Sequence, residues 1–485
     1  MKTITIIGAG LGGLTAGALL SKQGFNVTIL EQHNFVGGCA TTFNRRGGYT
    51  CEVGLHEMDS AFDDSTKKAI FDALGVYDHI EFVKSDEFFR LVTNHIDFVM
   101  PEGKEEAIKA LTLAYPEEKE AIQKYFSLIK SVSDEFIKLV DAKWWQYLLF
   151  PFIFKNVLRY RTSSVKDVMD KLFKNEDIKL ILNANVGYYS DKIKNCSFLF
   201  HSIAQNSYFT GGSWFIKGGS QKLSDYLASV VVENGGQVLV RSDVVKIENN
   251  SVTYKQKKKT FTLASDIVIS NLSPSSTYQL AGIPYEEKMK TSSSMLNIYI
   301  GFKNNLKTVY GKRAYSNFIF NDVDTIDEYD GMVEKDICKR GFIFVDYSQV
   351  DSNLTLDKSK SFGVISTTDY LSNWGDLSEK EYHEKKDEIL ESFLNQLEKE
   401  YENIREHIEF AEIASPSTMQ RYIKTPNATA YGFAPTPQQF LRTPQIRSKK
   451  MKNLYFVGAW VLGGGFSPAI YSGGLCANEI AKTGS

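Results

Sequence analysis

The apolar pattern of the first 32 residues alternates between two periods. Residues 3–7 form a β-branched run, TITII, which reads as a buried strand. Gly8, Gly10 and Gly13 follow in G-x-G-x-x-G spacing, and an apolar stretch of helical character succeeds them. A second strand then ends in Glu31. Strand, glycine turn, helix, strand and acid together predict a dinucleotide-binding βαβ unit. Gly8 permits the tight turn, Gly10 lets the backbone approach a pyrophosphate, and Gly13 lets the helix pack on the strand. Ala9, Leu11 and Gly12 fill out the loop, whose helix N-terminus turns its positive end to the phosphates. Glu31, with Gln32 beside it, stands where a carboxylate accepts both hydroxyls of an adenosine ribose.

Further along, the pattern predicts elements that serve the same site. Gly37 and Gly38 permit a second close approach of backbone, and Thr41 and Thr42 bring hydroxyl donors. Near the far end, residues 454–457 read as a buried strand. A loop at Gly463, Gly464 and Gly465 and a helix from about Pro468 follow. With Ser467 before it, and Ala469 and Ile470 after, that helix start suits the pyrimidine end of a flavin. Residues 265–271 give another buried strand, closed by Ser273-Pro274. Residues 117–140 and 379–404 have helical periodicity, and the charged run 255–259 reads as a solvated hairpin turn.

Composition narrows the class. The chain has 485 residues, enough for two intertwined domains, and a net charge of -2 from 56 basic and 58 acidic side chains. That balance offers nucleic acid no electrostatic footing. Cys39, Cys51, Cys196, Cys338 and Cys476 are scattered, with no C-x-x-C pair, so a reducing, cytoplasmic setting is expected and no metal site. Five glycines within residues 8–17, running directly into a strand, argue against a secretory signal. No apolar stretch reaches the roughly 20 residues that span a bilayer. A second strand–G-x-G-x-x-G–helix unit is missing, so NAD(P)H or another electron donor is expected to act only transiently.

The string EQHNFVGGCATTF followed by GLH, the C-terminal NLYFVGAWVLGGGFSPAIYSGG and the central WFIKGGSQKLSDYLASVVVENGGQVLVRSDVVKIE together resemble one family. It comprises the FAD-dependent oxidoreductases related to phytoene desaturase, carotenoid isomerase and retinol saturase, within the amine-oxidase-like flavoproteins. The resemblance implies an α/β fold, with a Rossmann-like FAD-binding domain of the glutathione-reductase/amine-oxidase type and an interleaved α+β substrate domain. It implies a discontinuous FAD domain (1–83, 211–281 and 415–485) and a substrate domain (84–210 and 282–414). Val244 or Val245 matches the family's adenine contact, and Gly458 its late glycine. Three departures stand out. Cys39 replaces a common arginine, Ala459 and Trp460 follow Gly458 where an acid or glutamine is usual, and a glycine before Tyr431-Gly432 is absent.

The function implied is redox chemistry on carbon–carbon double bonds of a long apolar polyene of carotenoid or retinoid type, by saturation or cis–trans isomerisation. A polyene desaturase, a flavin amine oxidase and a cofactor-free lipid-binding protein on the same scaffold are the alternatives. His56 is the catalytic candidate, able to position the flavin or supply a proton. Glu57, beside it, is expected to be exposed or paired, and Tyr188 and Tyr189 to serve packing or line the cavity. Residues 143–161, KWWQYLLFPFIFKNVLRYR, set aromatic and aliphatic side chains between cations. Such a segment suits either a buried helix pair or a patch that dips into one leaflet, peripheral on the inner face of a membrane.

Overall fold

The computed structural model describes residues 2–63, 65–140, 146 and 149–484. Five short strands make a parallel sheet in the order Gln237–Leu239, Asn26–Leu30, Thr3–Ile7, Ile267–Ser270 and Leu454–Phe456. The central strands are almost wholly buried, as a parallel sheet covered by helices on its faces requires. The helices Leu11–Lys22 and Phe466–Gly484 lie against each other there, and small residues set their closeness. A Cβ on Gly473 would stand 2.6 Å from the carbonyl oxygen of Gly12, and one on Gly12 2.6 Å from the amide nitrogen of Gly458. The last helix starts two residues earlier than its proline suggests, at Phe466.

A second, seven-stranded sheet runs Ile408–Ala414, Ser294–Phe302, Ser361–Asp369, Phe342–Asp346, Ser316–Ile319, Glu87–Val92 and Asp97–Pro101. All its pairings are antiparallel except that of Ser316–Ile319 with Glu87–Val92. Strand Ser294–Phe302 is buried at every position, because each face has its own cover. Leu296, Ile298, Ile300 and Phe302 join Ile389, Phe393 and Leu397 of helix Glu379–Glu398 in one apolar cluster. Met295, Asn297 and Tyr299 point the other way, into a cavity between the two sheets. That helix ends before residue 404: Asn403 turns left-handed at φ 59° and leads into a short 3₁₀ turn.

The charged run forms the expected hairpin. Ser251–Gln256 pairs with Lys259–Ala264, and Lys257 and Lys258 both take positive φ, 44° and 67°, in the turn. Residues 117–140 give a 3₁₀ turn, Pro116–Glu118, and then helix Lys119–Val140. Near the C-terminal end of that helix Glu135, buried, caps another element. Its carboxylate accepts from the amides of Asn156 (2.7 Å) and Val157 (3.0 Å) and from the Asn156 side chain (2.8 Å). This ties helix Lys155–Tyr160 to the rest of the protein. Among the described residues no helix is long and apolar enough to cross a membrane.

Replacing Glu135 by alanine leaves two amides without their acceptor. The expected loss is about 2 kcal/mol of stability, read as a lower urea midpoint with fast hydrogen exchange at Asn156 and Val157. An unchanged midpoint contradicts this account of the cap.

Candidate active site

The first strand ends at Ile7, and everything that follows is held by backbone. Gly8, at φ 92°, donates to the Leu30 carbonyl at 2.8 Å. The next amide, Ala9, donates to Glu31 Oε2 at 2.8 Å, and His33 N–H donates to Oε1 at 2.9 Å. Glu31 is thereby fixed at the mouth of the loop, 6 % exposed. Gly37 donates to the Ala9 carbonyl at 2.8 Å, and Gly37 and Gly10 form a parallel bridge. The two glycine motifs therefore lie edge to edge. Gly38, at φ 61°, follows in contact with Gly10: a Cβ on it would sit 3.4 Å from the Gly10 Cα.

Asn271 occupies the centre of this arrangement. A Cβ on Gly10 would come within 2.6 Å of its Nδ2, and a Cβ on Gly458 within 2.1 Å of its Oδ1. The residue ends strand Ile267–Ser270 and bonds back to the Ile7 carbonyl at 2.9 Å. The sequence pattern puts it at the end of the strand 265–271 and gives it no role. Its signal was positional: it leaves the sheet at the same edge as Gly8. Gly458 in turn donates to the Ser472 hydroxyl at 2.7 Å. Gly432, at φ 72°, takes up the space beside Ala459, whose carbonyl a Cβ would meet at 2.4 Å.

These elements line one cavity of about 2090 Å³. Its wall includes Gly8, Gly10, Leu11, Gly12, Glu31 and Gln32; Gly37, Gly38, Cys39, Thr41 and Thr42 continue it. Val244, Val245, Gly458, Ala459, Ser467, Pro468 and Ala469 also border it, as does His56. Gly13 and Ile470 stand behind the wall. Gly13 packs against the Gly8 carbonyl, where a Cβ would come to 2.3 Å, and Ile470 is core. Val244 is buried and Val245 sits on the outer side at 36 % exposure. Thr41 donates to Gln221 Oε1, whose amide donates to the Val36 carbonyl at 3.0 Å. Burial pushes the Cys39 thiol up to about 11, so it stays protonated.

The start of helix Phe466–Gly484 faces the cavity with Pro468 and Ala469, and its dipole presents positive potential there. The Ser467 hydroxyl is taken by Asp59 Oδ1 at 2.5 Å, and Ser207 bonds the other oxygen. Lys67, wholly buried, lies 3.7 Å from Asp59 Oδ1. Burial alone would raise the Asp59 carboxyl, yet Lys67 and the two hydroxyls bring it below its ordinary range.

On the opposite wall, His56 Nε2 is 3.3 Å from the Ser366 hydroxyl, which itself donates to Asn297 Oδ1 at 2.6 Å. Nε2 is then the donor of that contact. Burial lowers the imidazole to about 4, so it is neutral at physiological pH. Its carbonyl accepts from Tyr315 at 2.7 Å and that of Leu55 from Tyr347 at 2.8 Å, which fixes the 55–57 segment. Glu57 is half-buried, with its Oε2 shielded from solvent, and has no cation partner among the described residues, contrary to expectation. Tyr188, Tyr189, Tyr208, Phe200 and Met295 complete an aromatic and apolar wall.

From there the cavity reaches Phe136 and Ile137 of helix Lys119–Val140 and Phe440, which stacks on Phe136 at 5.6 Å. Apolar side chains are left in the open around that end: Ile137, Leu149, Leu441 and Phe152, the last 81 % exposed. Of the segment 143–161, Lys143, Trp144, Trp145, Tyr147 and Leu148 lie outside the described residues.

The cradle fits a dinucleotide cofactor on its own terms. Backbone is bare where a Cβ would collide, a fixed carboxylate waits at one end, and a helix N-terminus at the other. Comparison with known proteins agrees. The chain is 26% identical over 98% of its length to 85% of an all-trans-retinol 13,14-reductase of Danio rerio. It is 25% identical over 98% of its length to 83% of prolycopene isomerase 1, chloroplastic, of an Oncidium hybrid cultivar. Cyclohexylamine oxidase from Brevibacterium oxydans shares the fold, with a TM-score of 0.65 at 14% identity over 99% of both chains. Residues 11–481 match the family described as flavin containing amine oxidoreductase. The chain belongs to that family and is an FAD-dependent enzyme.

Proposed function

We propose that this flavoenzyme acts on carbon–carbon double bonds of a long apolar polyene of retinoid or carotenoid type, by saturation or by cis–trans isomerisation. The observation that carries the reading is the continuity of one cavity. It joins the glycine cradle to an aromatic wall and then to an exposed apolar face. An elongated hydrocarbon fits such a space, and a small polar amine leaves most of it unfilled. The names of the reductase and isomerase relatives support the same substrate class.

In this reading Glu31 holds the adenosine ribose, with Gln32 beside it. Val244 and Val245 flank the adenine, and Gly8 to Gly13 with Gly37 and Gly38 admit the pyrophosphate. Thr41, Thr42 and Cys39 continue the cradle towards the isoalloxazine. Gly458 and Ala459, with the helix start at Ser467 to Ile470, meet the pyrimidine end. The segments 1–83, 211–281 and 415–485 act as the cofactor domain, and 84–210 with 282–414 as the substrate domain. The flavin, when bound, supplies two-electron hydride chemistry. The protein's own part is to align the polyene along Tyr188, Tyr208 and Met295 and to keep water from it. The sequence has a single dinucleotide motif, so reducing equivalents come from NAD(P)H or another donor that docks transiently.

The open apolar face, with Lys138, Lys155, Arg159 and Arg161 nearby in sequence, suits contact with an anionic leaflet. We place the enzyme in the cytoplasm, peripheral on the inner face of a membrane, where its substrate enters through the portal beside Phe136 and Ile137.

Three outcomes are expected. Gly10→Val purifies with less than about a tenth of the wild-type flavin, measured by absorbance after denaturation; full flavin content contradicts the placement. Anaerobically reduced enzyme given retinoids and carotenoids yields either a gain of two hydrogens or a shifted retention at constant mass. Hydrogen peroxide release with amines and no change in any polyene refutes the substrate class. In a flotation assay the wild type rises with anionic vesicles, and Phe152→Asp combined with Ile137→Asp stays at the bottom while keeping its flavin. Equal flotation of both proteins removes the membrane contact.

A further inference from the structure

A carboxyl group with no charge partner sits in the cavity wall. Glu57 Oε1 accepts a hydrogen bond from the Ser316 hydroxyl at 2.5 Å. Ser316, fully buried, is 3.1 Å from the Tyr188 hydroxyl. Glu57 Oε2 is buried and has no hydrogen-bond partner among the described residues. The titratable groups that bear on it are Tyr188, Tyr208 and Tyr315 and two more acids, Glu87 and Glu102. No lysine or arginine forms an ion pair with it among the described residues.

An ionised carboxylate in this position would be a bare buried anion beside two like charges. A carboxylic acid leaves a single O–H without an acceptor, on a residue that lines the cavity. Burial, followed by the like charges, does hold the group well above the ordinary carboxylate range, and the Ser316 hydrogen bond opposes this without reversing it. His56, the neighbouring candidate, cannot fill the same role. It is neutral at physiological pH, and its Nε2–H is directed at Ser366.

We infer that Glu57 is a proton donor to the polyene, backed by the chain Ser316–Tyr188. The inference rests on the polyene reading above. In saturation the bound flavin would supply a hydride equivalent to one alkene carbon, and the Glu57 proton goes to its neighbour. The O–H bond breaks as the new C–H bond forms, and the carboxylate regains a proton from water through Tyr188 and Ser316. In isomerisation the Glu57 proton is added to a polyene carbon and a proton from that same carbon is returned to Glu57 after the weakened bond has rotated, with no net change in the number of atoms or electrons. Both outcomes call for an acid at this wall, and Glu57 is a carboxyl there with no cation partner among the described residues.

Two readouts test the role. Infrared difference spectra of wild type against Glu57→Gln at neutral pH, without substrate, are expected to show one protonated carboxyl C=O band in the wild type alone. With reduced enzyme and polyene in D₂O, the wild type introduces one solvent deuterium per saturated bond. In the isomerisation outcome, deuterium exchanges into the product instead. Glu57→Gln is expected to slow conversion by about 10²-fold or more at unchanged flavin content and melting temperature. Ser316→Ala keeps the band and slows turnover less. Absence of the band, or conversion by Glu57→Gln at the wild-type rate, overturns the inference. A wild type that shows the band but converts no polyene overturns the substrate reading, and this role with it; the band keeps that failure distinct from an ionised Glu57.

Discussion

The architecture depends on how closely three pieces of backbone approach one another near Asn271. The loops at residues 8–13, 37–38 and 458 come from distant parts of the chain, yet each lacks a side chain where the others need space. Strand register brings them to one edge: Ile6 pairs with Ile29 on one side and Ile269 on the other, and Ser270 with Phe456. Because all these strands are parallel, their C-terminal ends emerge together, and a ligand crevice is the natural result. A side chain at Gly10, Gly12 or Gly458 would collide with Asn271 or its neighbours before it touched a cofactor. The same glycines thus serve the fold and the binding surface.

Much of that crevice was legible in the sequence, since it depends on local spacing. Glycines at fixed intervals, a β-branched run before them and an acid at a set distance after need no knowledge of the rest of the chain. What escaped was whatever depends on contacts across long separations. Asn271 looks like the ordinary end of a strand until that strand is placed between Thr3–Ile7 and Leu454–Phe456. Glu57 looks like a surface acid until Ser316, more than 250 residues later, closes over it. Ser467 reads as a helix start, and only folding brings Asp59 to claim its hydroxyl.

Glu57 and Asp59 stand two residues apart in the same short segment, and their environments separate them. Asp59 has a buried lysine and two hydroxyls, which keep it charged. Glu57 has a serine and three tyrosines, which do not. One stretch of chain therefore holds one carboxyl below its ordinary range beside the last helix and another above it beside the aromatic wall. Neighbouring carboxyls driven apart in this way are a recurrent means of assigning acid and base roles without special side chains.

Strand Ser294–Phe302 carries a consequence for how such an enzyme diversifies. Its even-numbered positions pack against the helix Glu379–Glu398, and Met295, Asn297 and Tyr299 line the cavity. Stability and selectivity are interleaved at a spacing of two residues but chemically insulated from each other by the strand itself. Met295, Asn297 and Tyr299 can change the shape of the cavity while Leu296, Ile298 and Ile300 stay fixed, so a lineage can alter what the cavity admits without first weakening its frame.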